Sequence, residues 1–103
     1  MNKKIKIDIQ YFNGCPNSSE MIHRVKEAIK GSKEKIELNE VLVENNELAE
    51  KLKFRGSPTV LISGEDIEGR EEPESASINC RVYENGLPSV EEIREKILSN
   101  IEV

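Results

Sequence analysis

Two residues of this sequence stand out for the chemistry their type could do, Cys15 and Cys80. Cys15 lies in Gly14-Cys15-Pro16-Asn17-Ser18, just ahead of an apolar stripe at helical spacing made by Met21, Ile22, Val25, Ala28 and Ile29. A thiolate at a helix N-terminus meets unsatisfied backbone amides and the positive end of the helix dipole, and both stabilise its charge. Pro16 has no amide hydrogen, which leaves the Asn17 and Ser18 amides as donors and the Ser18 hydroxyl as a third. The pattern predicts a lowered Cys15 pKa and a nucleophilic sulfur. Its structural alternative is a small residue filling a turn.

Cys80 admits three readings. As a resolving thiol it would attack a mixed disulfide on Cys15 and release the product. Paired with Cys15 it could clamp a soft ion such as mercury or copper(I). It could also be a buried structural cysteine on a strand. The length of chain between the two cysteines does not choose, because closure entropy grows only logarithmically with loop length. Arg81 beside it would attract an anion or lower a thiol pKa, unless it is simply a surface arginine. His23 falls opposite Val25 and Ile29 on the helical pattern and is expected to face water. Asp8 alternates away from Ile7 and Ile9, which predicts a surface or helix-covered carboxylate. The acidic residues between 65 and 74 lack the ligand spacing of a calcium loop and read as solvated.

The elements that must carry these residues follow from periodicity. Ile5, Ile7, Ile9 and Tyr11 alternate with polar neighbours, which predicts a strand ended by Asn13-Gly14. Pro16 suits the first turn of a helix that Gly31 stops. Residues 36–43 are rich in β-branched side chains and form a second strand. Asn45 or Asn46 caps a second helix with Leu48, Ala49 and Leu52 inward and Phe54 at its end. Gly56-Ser57-Pro58 turns into the strand 59–62. Residues 65–79 read mostly as an exposed loop, with either 66–68 or 80–83 supplying a fourth strand. Ser89 and Glu92 form a capping box for a last helix whose inner face is Ile93, Ile97 and Ile101, helped by Leu98.

The order β-α-β-α-β-(β)-α predicts parallel first and second strands and an antiparallel third and fourth, in one four-stranded mixed α/β sheet with three helices on two faces. Residues 1–103 form one domain, long enough to bury a core without staples. With 36% hydrophobic and 34% charged residues, the surface must be heavily solvated. A net charge of −5, scattered basic residues and only Tyr11, Phe12, Phe54 and Tyr83 as aromatics argue against a nucleic-acid partner. Met1-Asn2-Lys3-Lys4 leads into an alternating segment, which predicts neither a leader nor a membrane span. The expected setting is therefore the cytoplasm, with both cysteines reduced.

Gly14-Cys15-Pro16, Gly56-Ser57-Pro58-Thr59 and Cys80-Arg81-Val82-Tyr83, in this order, resemble a group of small thioredoxin-like proteins marked by G-C-P, G-S-P-T and C-R-x-Y segments. The resemblance covers nearly the whole chain and implies a thioredoxin-like fold, with Cys15 at the redox position. It also implies a cis Ser57–Pro58 bond facing that sulfur, although generic X-Pro bonds are mostly trans. Ser57, Pro58 and Thr59 would then line the substrate, the Ser57 amide and carbonyl pairing with an extended chain. Ser18 stands where a C-x-x-C motif has its second cysteine, so the site resembles single-cysteine, glutaredoxin-like centres. That implies glutathione or a thiol from elsewhere as the resolving partner.

The resulting expectation is a thiol-disulfide oxidoreductase-like protein without cofactor or resident metal. It would act on thiol or disulfide substrates through Cys15, Cys80 and Ser18, as a monomer or weak dimer. The alternatives are a binding module that keeps the fold without turnover, and soft-metal handling through the two sulfurs.

Overall fold

The computed structural model describes residues 4–81, 83 and 86–101. Its elements are β1 (Ile5–Tyr11), α1 (Ser18–Ala28), β2 (Ile36–Leu42), α2 (Asn46–Leu52), β3 (Thr59–Ile62), β4 (Glu65–Asp66) and α3 (Val90–Ile101), with a 3-10 turn at Lys33–Lys35. The sheet order is β2-β1-β3-β4. β1 and β2 run parallel from the Ile5/Ile36 pair to Tyr11/Leu42. β3 is antiparallel to both β1 and β4. Crossing from β1 to a parallel β2 requires an intervening helix, and α1 supplies it.

Period-two alternation sends Ile7 and Ile9 to one face of the sheet. There they meet Met21, Val25, Ala28 and Ile29 from α1, Val60 and Ile62 from β3, and Ile93 and Ile97 from α3, in one apolar cluster. On the opposite face a smaller cluster of Val43, Ala49 and Phe54 lies under α2, with Phe12, Leu48 and Leu52 against it. Asp8 follows the polar phase of β1, half-buried, and accepts a hydrogen bond from Asn39 Nδ2 at 3.0 Å.

The predicted caps differ in outcome only in detail. Ser89 Oγ accepts from the Glu92 amide at 3.1 Å while Glu92 accepts from the Ser89 amide at 3.0 Å, a reciprocal capping box. These bonds hold the Glu92 carboxyl below the usual range. Asn45, not Asn46, caps α2 by accepting from the Leu48 amide at 2.8 Å. α1 begins at Ser18, so Pro16 lies in the preceding turn and not in the first helical turn. The helix ends at Ala28, before the positive φ of Gly31. Leu98 is exposed and does not help the inner face of α3, because Ile93 and Ile97 already cover the sheet. His23 is exposed.

The segment after β3 departs most from expectation. The fourth strand is only Glu65–Asp66, and Asp66 and Ile67 are buried instead of solvated. Cys80 makes only an isolated parallel bridge to Ser57, outside the named strands, and Val82 of the second candidate strand lies outside the described residues. The side chain of Ile101 is likewise outside the description. Ala76 and Ile78 are partly buried against the α2 cluster, so the later part of this segment is a strap across the molecule and not a free loop.

Candidate functional site

The turn 12–17 ends β1 and delivers Cys15 just ahead of α1; the Ser18 amide closes it by donating to the Cys15 carbonyl at 3.3 Å. The opposite wall comes from 56–58, where the Ser57–Pro58 peptide is cis. The third wall is the strap. The Ser57 amide donates to the Asn79 carbonyl at 2.8 Å, and the Arg81 amide donates to the Ser57 carbonyl at 2.9 Å. These two bonds place Cys80 beside Cys15, with Cα atoms 5.8 Å apart, and the two are joined as a disulfide. Among the described residues there is no free cysteine. The expectation of two reduced thiols is thus corrected: the strap register on Ser57 brings together residues 65 apart in sequence, which spacing alone could not show.

Each remaining candidate has a definite place. Ser18 is buried, and its hydroxyl is 2.8 Å from Ser57 Oγ, which in turn accepts from the Phe12 amide at 3.1 Å. The Ser18 hydroxyl is therefore committed to Ser57. Thr59 is fully buried and its hydroxyl donates to the Gly56 carbonyl. The carbonyl of buried Pro58 accepts from Tyr83 Oη at 2.6 Å. Ser57 offers neither amide nor carbonyl to an incoming chain, since the strap has taken both. Cys15 is 8% exposed, whereas Cys80 is exposed.

Arg81 is the residue the sequence reading placed worst. Its side chain is wholly buried and donates two hydrogen bonds to Asp66, at 2.6 and 2.8 Å, while Asp66 is itself fully enclosed. It also lies 4.5 Å from the Tyr83 ring centroid, a cation–π geometry, and reaches Glu68 at 3.5 Å. Burial pushes the Asp66 carboxyl up, but the Arg81 guanidinium and the Arg70 and Glu68 amides outweigh it and hold the pKa below its ordinary value. Burial alone would lower Arg81; hydrogen bonding to Asp66 leaves it raised. Burial also drives the Tyr83 hydroxyl well above its usual pKa, so it stays protonated and donates to Pro58. The acidic residues from 65 onward read as solvated, and nothing local pointed from Asp66 to residue 81.

Gly56 explains how the strap comes so close. A Cβ there would stand 2.7 Å from Asn79 Oδ1 and 2.9 Å from Arg81 Cβ, and φ is +102°. Only glycine meets both demands. Beyond the disulfide, the structure holds no group of three or more His, Cys, Asp or Glu arranged for a metal among the described residues. A two-sulfur clamp for a soft ion would need the pair reduced first.

A mixed four-stranded sheet with a cysteine before α1 and a proline turn before β3 is a thioredoxin-like fold. Solved structures carry the same architecture. An uncharacterised thioredoxin-like protein from Clostridium perfringens superposes with a TM-score of 0.59 at 18% identity, covering 96% of this chain and 72% of that one. Deadhead, the germline-specific thioredoxin of Drosophila melanogaster, does so with a TM-score of 0.53 at 17% identity, covering 99% and 84%. No family model matches the sequence, and no curated protein does. Identities this low establish the fold alone. No helix among the described residues is long and apolar enough to cross a membrane.

Proposed function

We propose that the protein performs thiol–disulfide exchange through Cys15 and Cys80, a dithiol pair divided between the β1–α1 turn and the strap. The observation that carries this reading is the disulfide between them. In the reducing direction, the Cys15 thiolate attacks a substrate disulfide, forms a mixed disulfide and releases one substrate thiolate. The Cys80 thiolate then attacks the Cys15 sulfur, closes the Cys15–Cys80 bond and releases the second substrate thiol. The substrate gains two electrons, the protein pair loses two, and a low-molecular-weight thiol or a dithiol protein restores the pair. Its place just ahead of the N-terminus of α1 favours Cys15 as the thiolate through the helix dipole, and Ser18 and Ser57 hold the turn that presents it. The protein works as a monomer or weak dimer in the cytoplasm, where a disulfide of this kind is a transient working state.

The test begins with thiol counting. Native protein should show no free thiol, and mild dithiothreitol without denaturant should release two. The reduced protein should then consume one equivalent of a small disulfide. Cys80→Ser should stop at a stable mixed disulfide visible by mass, and Cys15→Ser should not form one. Alkylation of the reduced protein should report a Cys15 pKa below the free value of about 8.5. A pair that resists dithiothreitol until the protein unfolds would overturn the proposal.

One observation favours a second reading, a fold kept for binding with the disulfide as a staple. The bond closes a loop of 65 residues, for which chain entropy alone gives a stabilisation of about 4 kcal/mol. Resistance to native reduction is the outcome that would select it.

A further inference from the structure

We propose that the strap stays docked on Ser57 when the pair is reduced, so that the protein exchanges with small-molecule disulfides and excludes those of polypeptides. This rests on the exchange reading above and names its substrate class. An extended polypeptide binds a sheet edge by pairing its backbone with exposed amides and carbonyls. At the residue that faces the sulfur, the protein's own chain already fills those positions: Ser57 donates to Asn79 and accepts from Arg81.

None of the anchors that hold the strap involves sulfur. Arg81 forks onto buried Asp66 at 2.6 and 2.8 Å. The Ala76 amide donates to Glu50 at 2.6 Å, and the Ile78 amide donates to Asn46 at 2.8 Å, tying the strap to α2. Gly56 leaves a gap shaped for Asn79 and Arg81. Breaking the disulfide removes a covalent tie and leaves every one of these contacts in place. A polypeptide would have to displace Arg81 and leave the buried Asp66 carboxylate without its cation.

A small disulfide needs no such displacement. A cleft of about 300 Å³ is lined by Phe12, Asn13, Leu42, Val43, Glu44 and Ile78. Asn13 and Ile78 stand two residues along the chain from Cys15 and Cys80, so the turn and the strap that carry the two sulfurs both contribute a wall to the cleft. That volume suits a small organic group and not a peptide strand with its side chains. A small disulfide would reach Cys15 without unseating the strap. The electrons follow the exchange already given, with Cys80 closing on Cys15.

Two measurements on the whole protein test this. Hydrogen exchange is followed in oxidised protein and in protein kept reduced by a phosphine. The Ser57 and Arg81 amides should stay protected within about tenfold on reduction. Release of both by about 100-fold, with β1 and β3 still protected, would overturn the docked strap. Single-turnover rates are then compared for 2-hydroxyethyl disulfide and for insulin. The small disulfide should be favoured by about 100-fold more than it is by dithiothreitol. Equal preference would overturn the substrate class. Gly56→Ala, which crowds Arg81 out, should narrow the gap; if that variant does not fold, the wild-type amides and rates still decide. Reaction with neither disulfide would remove the exchange reading and the substrate class with it, while protected amides would still support the docked strap.

Discussion

The two faces of the sheet are built to different standards. Under α1 and α3, thirteen buried residues form one continuous apolar cluster, and two long helices cover it. Under α2, the buried residues among those described are Val43, Ala49 and Phe54, and the helix has seven residues. Apolar area does most of the stabilising on the first face. On the second, the strap's Ala76 and Ile78 amides donate to Glu50 and Asn46, and the strap runs on to an enclosed ion pair and a disulfide. The lesson is a division of labour. The well-packed face fixes where Cys15 stands, and the thinly packed face carries the segment that brings Cys80 to it.

The most damaging way to break the contrast is Arg81→Ala. It strands the buried Asp66 carboxylate and should cost about 3–5 kcal/mol, read from urea unfolding. The same pair predicts an acid limb. Because the folded pKa of Asp66 is depressed, its contribution is complete above the ordinary carboxylate value of about 4 and is lost as pH falls through the lower folded value. Asp66→Asn should flatten that limb; an unchanged acid profile would show that the pair does not contribute.

Reduction of the disulfide comes next. It should lower stability by at most about 4 kcal/mol, and by less if the strap remains docked and limits the freedom regained. A Cys80→Ser protein that unfolds at the same urea concentration as the oxidised wild type would contradict this.

Two helix caps sharpen the comparison, since their removal should cost the same. Asn45→Ala and Ser89→Ala should each lose about 1 kcal/mol by thermal melting. Only the first lies on the face that holds the strap, so only Asn45→Ala should speed reduction of the disulfide by dithiothreitol. Equal reduction rates would erase the distinction between the faces. Of about the same size is Ser18→Ala, which removes one buried hydroxyl contact and should cost about 0.5–1.5 kcal/mol. Its Cys15 alkylation profile should stay close to that of the wild type, because the hydroxyl points to Ser57.

Much of the fold was legible before any coordinates. β1, α1 and α3 announce themselves because one face of each is buried, and burial imposes a period of two or near four on the sequence. The Ser89/Glu92 box is equally readable because its partners are three residues apart. β4 was hard to place because two residues are too short to show a period. The strap reads as an exposed loop because its polar groups pair with distant ones, the Ala76 amide with Glu50 and the Arg81 side chain with Asp66.

The sequence by itself determined the order of elements, the parallel and antiparallel pairings, and the place of Cys15 at the junction of strand and helix. These follow from local periodicity and steric rules that neighbouring residues express together. Tertiary structure alone decided that Cys80 is its partner, that Arg81 is enclosed with Asp66, and that Ser57 is already occupied. Each of those is a meeting of segments far apart along the chain, and no spacing records which distant backbone a glycine has left room for.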